Sequence, residues 1–343
     1  MWYAPLEIFK VVAFMSFLRT VSLSLVLPLM FIACNDVDPV ESDMPETLAS
    51  TPVSNPIDID VTMNTLSGAF RNAGDGSPAV LIVPGSGPTD RDGNSPAGLK
   101  TNMYRLLADA LEDRGVSSLR VDKRGMFSSA GAGDPNAVTV DIYAQDYRDW
   151  AARLREDTQT DCVYLLGHSE GGTMVTAAAV GADGICGLIL VAAPGRNYAD
   201  VLRQQLQANP ANAPILPDAL SAIDALSQGE GVDVTTFHPA LKGLFAPQVQ
   251  GFLMSLFSID PASFVTEAAL PTLVLQGDRD LQVTTVDAQR LADAGGTLVL
   301  LPGVNHILKN APESRAGNLA TYGNPDLPIS DLAVSAIVEF ITD

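Results

Sequence analysis

The chain has 343 residues, 47% of them apolar and 17% charged, which is enough apolar material for a large core and too little charge for a disordered polyelectrolyte. A formal net charge of −20 excludes nucleic acid and disfavours polyanionic ligands, because phosphate binding needs clustered Lys and Arg. The length fits one large α/β domain with an insertion, or two domains.

The chain opens on an apolar run from Val11 to Ala33 that ends in Phe31-Ile32-Ala33-Cys34. Residues 1–33 read as a signal peptide. A start at Met15 has better proportions, with Arg19 in the basic region, Val21 to Ile32 as the apolar stretch and Ala33 at the cleavage site. Cys34 in that place resembles the acylated cysteine of bacterial lipoproteins, although Phe31 stands where Leu is usual. The resemblance implies lipidation at Cys34, attachment to a membrane through that anchor, and export to the periplasm or outer membrane. An ordinary cleaved signal and a retained helix are the alternatives. Residues 34–58, rich in Pro, Ser, Thr and acids, read as a flexible tether.

From there short apolar runs alternate with helix-length segments. AVLIV (79–83), SSLRV (117–121), CVYLL (162–166), GLILVAA (187–193), PTLVLQ (271–276) and TLVLL (297–301) read as buried strands. Leu99–Arg114, Ile142–Glu156, Gly171–Ala179, Val286–Ala294 and Ser330–Thr342 read as helices. This alternation predicts an α/β fold, a mostly parallel central sheet with helices on both faces. It fails across residues 196–269, which are helical throughout and rich in Leu, Phe, Met and Ala, and which we expect to form an inserted cap roofing a pocket. The core would then comprise residues 59–195 and 270–343. Cys162 and Cys186 each open a strand-like run and would meet at the same end of neighbouring strands, as a disulfide or as two buried thiols.

The chemistry centres on Gly167-His168-Ser169-Glu170-Gly171, between the strand CVYLL and a helix-like segment. A serine on a sharp strand-to-helix turn needs a strained backbone, and flanking glycines remove the Cβ atoms that would collide there. A serine hydroxyl is a weak nucleophile and needs a base, itself oriented by an acid. Of the three histidines, His168 lies within the turn and His238 in the expected cap, which leaves His306 as the base. The loop Gly277-Asp278-Arg279-Asp280 follows PTLVLQ and offers the acid. An oxyanion needs two backbone donors. The N–H of Glu170 is one candidate, and Ser86, in the glycine-rich loop 84–94, is the other. Asp90, Arg91, Asp92, Asp122 and Arg124 are expected to brace these loops, Asp122 pairing with Arg124, although Arg91 could reach a substrate carboxylate. Neither metal nor organic cofactor is required by this chemistry.

The sequence resembles bacterial α/β-hydrolases of the serine esterase and S33 aminopeptidase-like group. The resemblance rests on GSGPTDRDGN (85–94), DKRG (122–125), GHSEGG (167–172), GDRDLQV (277–283) and NHILK (305–309), and spans about residues 60 to 343. It implies the α/β-hydrolase fold and a catalytic triad of Ser169, Asp280 and His306, Asp280 being favoured over Asp278 because the family acid lies three residues after the glycine. Pro84 replaces a frequent His, and Met126-Phe127-Ser128-Ser129 replaces a G-x-S turn. The expected activity is hydrolysis of small carboxylic esters through an acyl-enzyme. The alternatives are an S33-type aminopeptidase or amidase acting on short peptides, with Asp218, Asp224, Glu230 and Asp233 in the cap holding a substrate ammonium, and a non-catalytic ligand-binding lipoprotein.

Overall fold

A computed structural model describes residues 58–96 and 98–343. The signal segment, Cys34 and all but the last residue of the tether lie outside the described residues. Among the described residues no helix is long and apolar enough to cross a membrane.

Eight strands form one sheet in the order β1-β2-β6-β3-β7-β8-β9-β10. They are β1 (Ile59–Met63), β2 (Leu66–Arg71), β3 (Ala79–Val83), β6 (Ser117–Val121), β7 (Val163–His168), β8 (Ile185–Val191), β9 (Thr272–Gly277) and β10 (Thr297–Leu301). From β6 to β10 the neighbours are parallel, with Leu81 opposite Leu165 and Leu165 opposite Leu188. Every residue of β3, AVLIV, is buried, as the centre of a sheet covered on both faces requires. One core layer holds Leu81, Leu165, Leu188 and Trp150, and the opposite layer holds Ile82, Leu166, Ile189 and Leu107.

The antiparallel hairpin β1–β2 was not foreseen in the sequence. In β1 only Val61 is buried, whereas β2 is buried at every residue but Ser67 and includes Gly68, whose missing Cβ leaves room for the Arg120 carbonyl and Leu119 of β6. The helix expected from Leu99 starts later, as α1 (Met103–Glu112). Asn102 before it has φ of 49°, a left-handed conformation that no helix continues through, and Leu99–Lys100 (β5) instead pairs with Asn94–Ser95 (β4). The next two helices are α2 (Val140–Thr158) and α3 (Glu170–Ala179).

Between β8 and β9 the chain runs through α4 (Tyr198–Gln207), α5 (Leu216–Ser227), α6 (Pro239–Leu244), α7 (Pro247–Phe257) and α8 (Pro261–Ala268). Local chemistry punctuates this stretch. Four of these helices carry Pro in the first turn, where its missing N–H costs nothing, and Asn197, His238 and Asp260 each accept a backbone N–H as cap. The helices α9 (Thr285–Asp293), α10 (Arg315–Ala320) and α11 (Asp331–Thr342) complete the chain. Cys162 and Cys186 are joined as a disulfide across β7 and β8, with Cα atoms 5.2 Å apart.

Candidate active site

In a parallel sheet the crevice lies beyond the carboxyl ends of the strands, and there the loops after β3, β7, β9 and β10 converge. A cavity of about 70 Å³ opens between them, lined by Gly85 and Ser86 from the first loop, His168 and Ser169 from the second, Gln282 from the third and His306 from the fourth.

Ser169 joins β7 to α3 with φ of 54° and ψ of −125°, a conformation costly for a residue with a side chain. Its neighbours explain how the turn closes. A Cβ on Gly167 would lie 2.4 Å from the Gly171 carbonyl oxygen, and one on Gly171 would lie 2.6 Å from that of Val83. The Ser169 N–H donates to the Val191 carbonyl at 2.9 Å, which pins the turn to β8. Glu170 opens α3, so its own N–H has no acceptor within the helix.

His306 and Asp280 meet from separate loops. His306 Nδ1 donates to Asp280 Oδ2 at 2.8 Å, both side chains being almost wholly buried. The other carboxylate oxygen accepts the N–H groups of Gln282 at 2.7 Å and Val283 at 3.0 Å. Burial works to raise the Asp280 pKa, but the His306 interaction and these N–H donors outweigh it and hold the carboxyl below its ordinary value. Gln276 Nε2 also donates to Asp280 Oδ2, at 3.2 Å. Asp278, the alternative acid, is turned away, accepting the Gly303 N–H at 2.7 Å.

Buried side chains absent from the sequence reading tie these loops together. The His168 ring lies between Tyr104 Oη, 2.8 Å from Nδ1, and the His306 carbonyl oxygen, 2.8 Å from Nε2. Tyr104 Oη in turn accepts the Gly85 N–H at 2.9 Å. Lys123 Nζ donates to the Gly85 carbonyl at 2.7 Å. Asn305 accepts the N–H groups of Ile307 and Lys309, each at 3.2 Å, and so shapes the turn that carries His306. The sequence signals for these residues were that Lys123 lies in DKRG, Asn305 in NHILK and His168 within the serine turn; Tyr104 carried none.

Ser86 reaches the cavity beside Glu170. Its Oγ lies 2.8 Å from Tyr198 Oη. Burial raises the Glu170 carboxyl above its usual range against the opposing Lys123 charge, and burial lowers the Lys123 amine.

The expected pairing of Asp122 with Arg124 is not formed. Asp122 accepts the Arg91 N–H at 2.9 Å and its Nε at 3.2 Å, while Arg124 reaches outward to Asp146 of α2. Residues two apart would share a side on extended backbone, but β6 ends at Val121 and the chain turns at Arg124–Gly125, where Gly125 has φ of 75°, so the two side chains brace different loops. Arg91 is spent on Asp122, Asp60 and Ser128 and does not line the cavity, so it does not reach a substrate there. Asp90 accepts the N–H groups of Asp92 and Asn94, and Asp92 pairs with Arg120. Asp218, Asp224, Glu230 and Asp233 are all exposed, and none lines the cavity. Among the described residues no group of three His, Cys, Asp or Glu side chains converges as a metal site.

Residues 80–320 match the model of the alpha/beta hydrolase family. The chain belongs to that family. Among curated proteins it is 29% identical over 235 residues to Esterase EstD of Thermotoga maritima, a match covering 67% of this chain and 53% of that protein. The chain thus spans about half the length of this curated relative. Among solved structures, Est1E from Butyrivibrio proteoclasticus with bound ferulic acid has a TM-score of 0.52 at 17% identity, covering 83% of this chain and 100% of that one. A proline iminopeptidase from Mycobacterium smegmatis has a TM-score of 0.51 at 15% identity, covering 83% and 97%. At such identities these structures share the α/β-hydrolase fold with this chain, and the comparison carries nothing further.

Proposed function

We propose that the protein is a carboxylic ester hydrolase acting through Ser169, His306 and Asp280. The observation that carries this reading is the buried 2.8 Å bond from His306 Nδ1 to Asp280, on loops that place His306 in the same cavity as the strained Ser169. With Nδ1–H committed to the carboxylate, Nε2 keeps its lone pair and is the basic nitrogen. Ser169 Oγ attacks the ester carbonyl and passes its proton to Nε2. The tetrahedral oxyanion takes the N–H groups of Ser86 and Glu170. His306 then protonates the departing alcohol, and water enters by the same route to release the acid.

Hydrolysis of esters is favoured over cleavage of an N-terminal peptide bond because the four acids of the cap point to solvent rather than to the cavity. The resemblance to EstD supports the same choice. Export and lipidation at Cys34 complete the reading, supported by the Cys162–Cys186 disulfide, which an oxidising compartment maintains.

Two measurements test it. A fluorophosphonate probe should label the folded protein at Ser169 and fail to label Ser169→Ala; labelling that survives the substitution would remove Ser169 from the chemistry. The kcat/KM on p-nitrophenyl butyrate should exceed that on an aminoacyl-p-nitroanilide, and the reverse order would turn the reading to the aminopeptidase.

A further inference from the structure

The loop after β3 carries Gly85 past the nucleophile so closely that a Cβ on it would lie 3.2 Å from Ser169 Cβ and 3.3 Å from the His168 carbonyl oxygen. Glycine permits that approach, but a residue without Cβ also leaves the peptide between Gly85 and Ser86 free to turn. Its orientation matters because its two ends are opposites. In a trans peptide the C=O and the N–H point in opposite directions, and no peptide among the described residues is cis. One orientation offers the cavity a donor, the Ser86 N–H. The other offers the Gly85 carbonyl oxygen, which would repel an oxyanion.

Three side chains hold successive groups of this loop. Tyr104 Oη takes the Gly85 N–H at 2.9 Å, and Thr89 Oγ1 donates to the Ser86 carbonyl at 2.9 Å. These hold the peptides before and after. The peptide between them, Gly85 C=O with Ser86 N–H, has one hydrogen bond among the described residues, from Lys123 Nζ to the Gly85 carbonyl at 2.7 Å. A carbonyl oxygen only accepts, so the amine donates whether it is an ammonium or neutral. Gly85 and Ser86 line the cavity beside Ser169, whereas Lys123 is 4% exposed and does not line it. The carbonyl is therefore drawn away from the cavity, which turns the N–H towards it. Among the described residues nothing accepts the Ser86 N–H. A buried amine is unfavourable where an apolar side chain of the same length would pack, yet here it meets the one peptide whose orientation decides whether the cavity sees a donor or an acceptor.

We propose that Lys123 is a positioning residue, which turns the Gly85–Ser86 peptide so that the Ser86 N–H faces the ester oxygen beside Ser169. This rests on the ester-hydrolase reading above. Lys123 touches neither substrate nor nucleophile, and acts only through the carbonyl that it holds.

The test compares p-nitrophenyl butyrate with its thiono counterpart, which has sulfur in place of the carbonyl oxygen, each rate taken relative to hydrolysis in alkali. Sulfur accepts hydrogen bonds weakly, so an aligned donor favours the oxygen ester and misalignment narrows the gap. The parent should prefer the oxygen ester. Lys123→Met keeps the length of the side chain and removes its donor. Its kcat on the oxygen ester should fall by about 10- to 100-fold with KM little changed, because the oxyanion exists only in the transition state. The oxygen-to-sulfur ratio of kcat/KM should fall by about tenfold. A residue that only supported the fold would slow both esters alike. Far-ultraviolet circular dichroism reports whether the variant is folded, and Lys123→Leu gives the same comparison should Lys123→Met not fold. A third measurement needs no variant. Ser169 Oγ adds to the carbonyl carbon of a trifluoromethyl ketone while His306 takes the hydroxyl proton, which leaves a bound oxyanion, and the Ser86 amide proton should then move downfield in the nitrogen-15-labelled parent. A ratio in a folded variant within about threefold of the parent's overturns the proposal, as does an unmoved Ser86 amide proton. If the parent turns over both esters without preference, only this inference fails; if neither ester is turned over and the fluorophosphonate does not label Ser169, the ester-hydrolase reading fails with it.

Discussion

His168 donates from Nε2 to the main-chain carbonyl of His306 at 2.8 Å, so a buried histidine at the end of β7 holds the loop that carries His306. A carbonyl oxygen only accepts, so the proton lies on Nε2, and the neutral ring must accept the Tyr104 hydroxyl at Nδ1. Tyr104 accepts from Gly85, which continues the chain into the loop after β3. Three of the four loops around the cavity are thus set by one line of hydrogen bonds.

Tyr104→Phe removes the middle of that line and leaves both the Gly85 N–H and His168 Nδ1 without partners. It should lower stability by about 1–3 kcal/mol, the usual cost of stranding a buried polar group. Urea unfolding would register this as a lower midpoint at unchanged slope. In steady-state assays kcat should fall more than KM rises, because the disturbed atoms position His306 and Ser86. A variant as stable as the parent would show that the relay is not structural.

Burial, reinforced by the neighbouring His306 charge, lowers the His168 pKa to about 3. In the unfolded chain an ordinary histidine titrates near 6.5. Below that pH the unfolded state binds a proton that the native state refuses, so stability falls as the pH drops from about 6.5 toward 3, and this group contributes no pH dependence above that window. The slope is at most about 1.4 kcal/mol per pH unit. Denaturant unfolding between pH 6.5 and 5, above most carboxylate titrations, should show this slope in the parent and a reduced one in His168→Asn. Equal slopes would mean that His168 is protonated in the native state.

Asp280→Asn keeps the size of the acid but reverses the polarity of its bond to His306, favouring the tautomer whose Nε2 cannot accept a proton. The kcat on p-nitrophenyl butyrate should fall by about 10⁴-fold, with an unaltered far-ultraviolet circular dichroism spectrum. Retention of more than a tenth of the activity would exclude Asp280 as the acid. Asp278→Asn, which alters a contact to Gly303 and a 3.6 Å ion pair with Arg279, both away from His306, should stay within a few-fold of the parent.

Reducing the Cys162–Cys186 bridge frees a loop of 24 residues, whose closure is worth about 3 kcal/mol in the unfolded state. Dithiothreitol, or the Cys162→Ala and Cys186→Ala pair, should lower the melting temperature while leaving kcat near its original value, because the bridge lies at the end of β7 opposite Ser169. An unchanged melting temperature would indicate that the cysteines are reduced in the folded protein.

Much of the fold was legible because its signals are local. The buried run AVLIV, the strand-turn-helix setting of Ser169 and the separate placing of Asp280 and His306 on loops after strands depend on residues close in sequence. The hairpin β1–β2 was missed because its alternation is broken by polar and small residues that are acceptable only beside β6. The pairing of Asp122 with Arg124 was misread for a related reason, since closeness in sequence says nothing about which side of the loop each side chain takes.

By itself, then, the sequence determined the α/β alternation, the chain order of Ser169, Asp280 and His306 on loops after strands, and the acidic net charge, all carried by residue type and spacing. Only the tertiary structure decided that Asp280 lies against His306 while Asp278 turns to Gly303, that His168 supports the loop carrying His306, and that Lys123 reaches across to the Gly85 carbonyl. Those outcomes join residues up to 138 positions apart, such as His168 and His306. Hydrogen bonds act over about 3 Å, and no periodicity in a chain encodes which distant loops will come within that range.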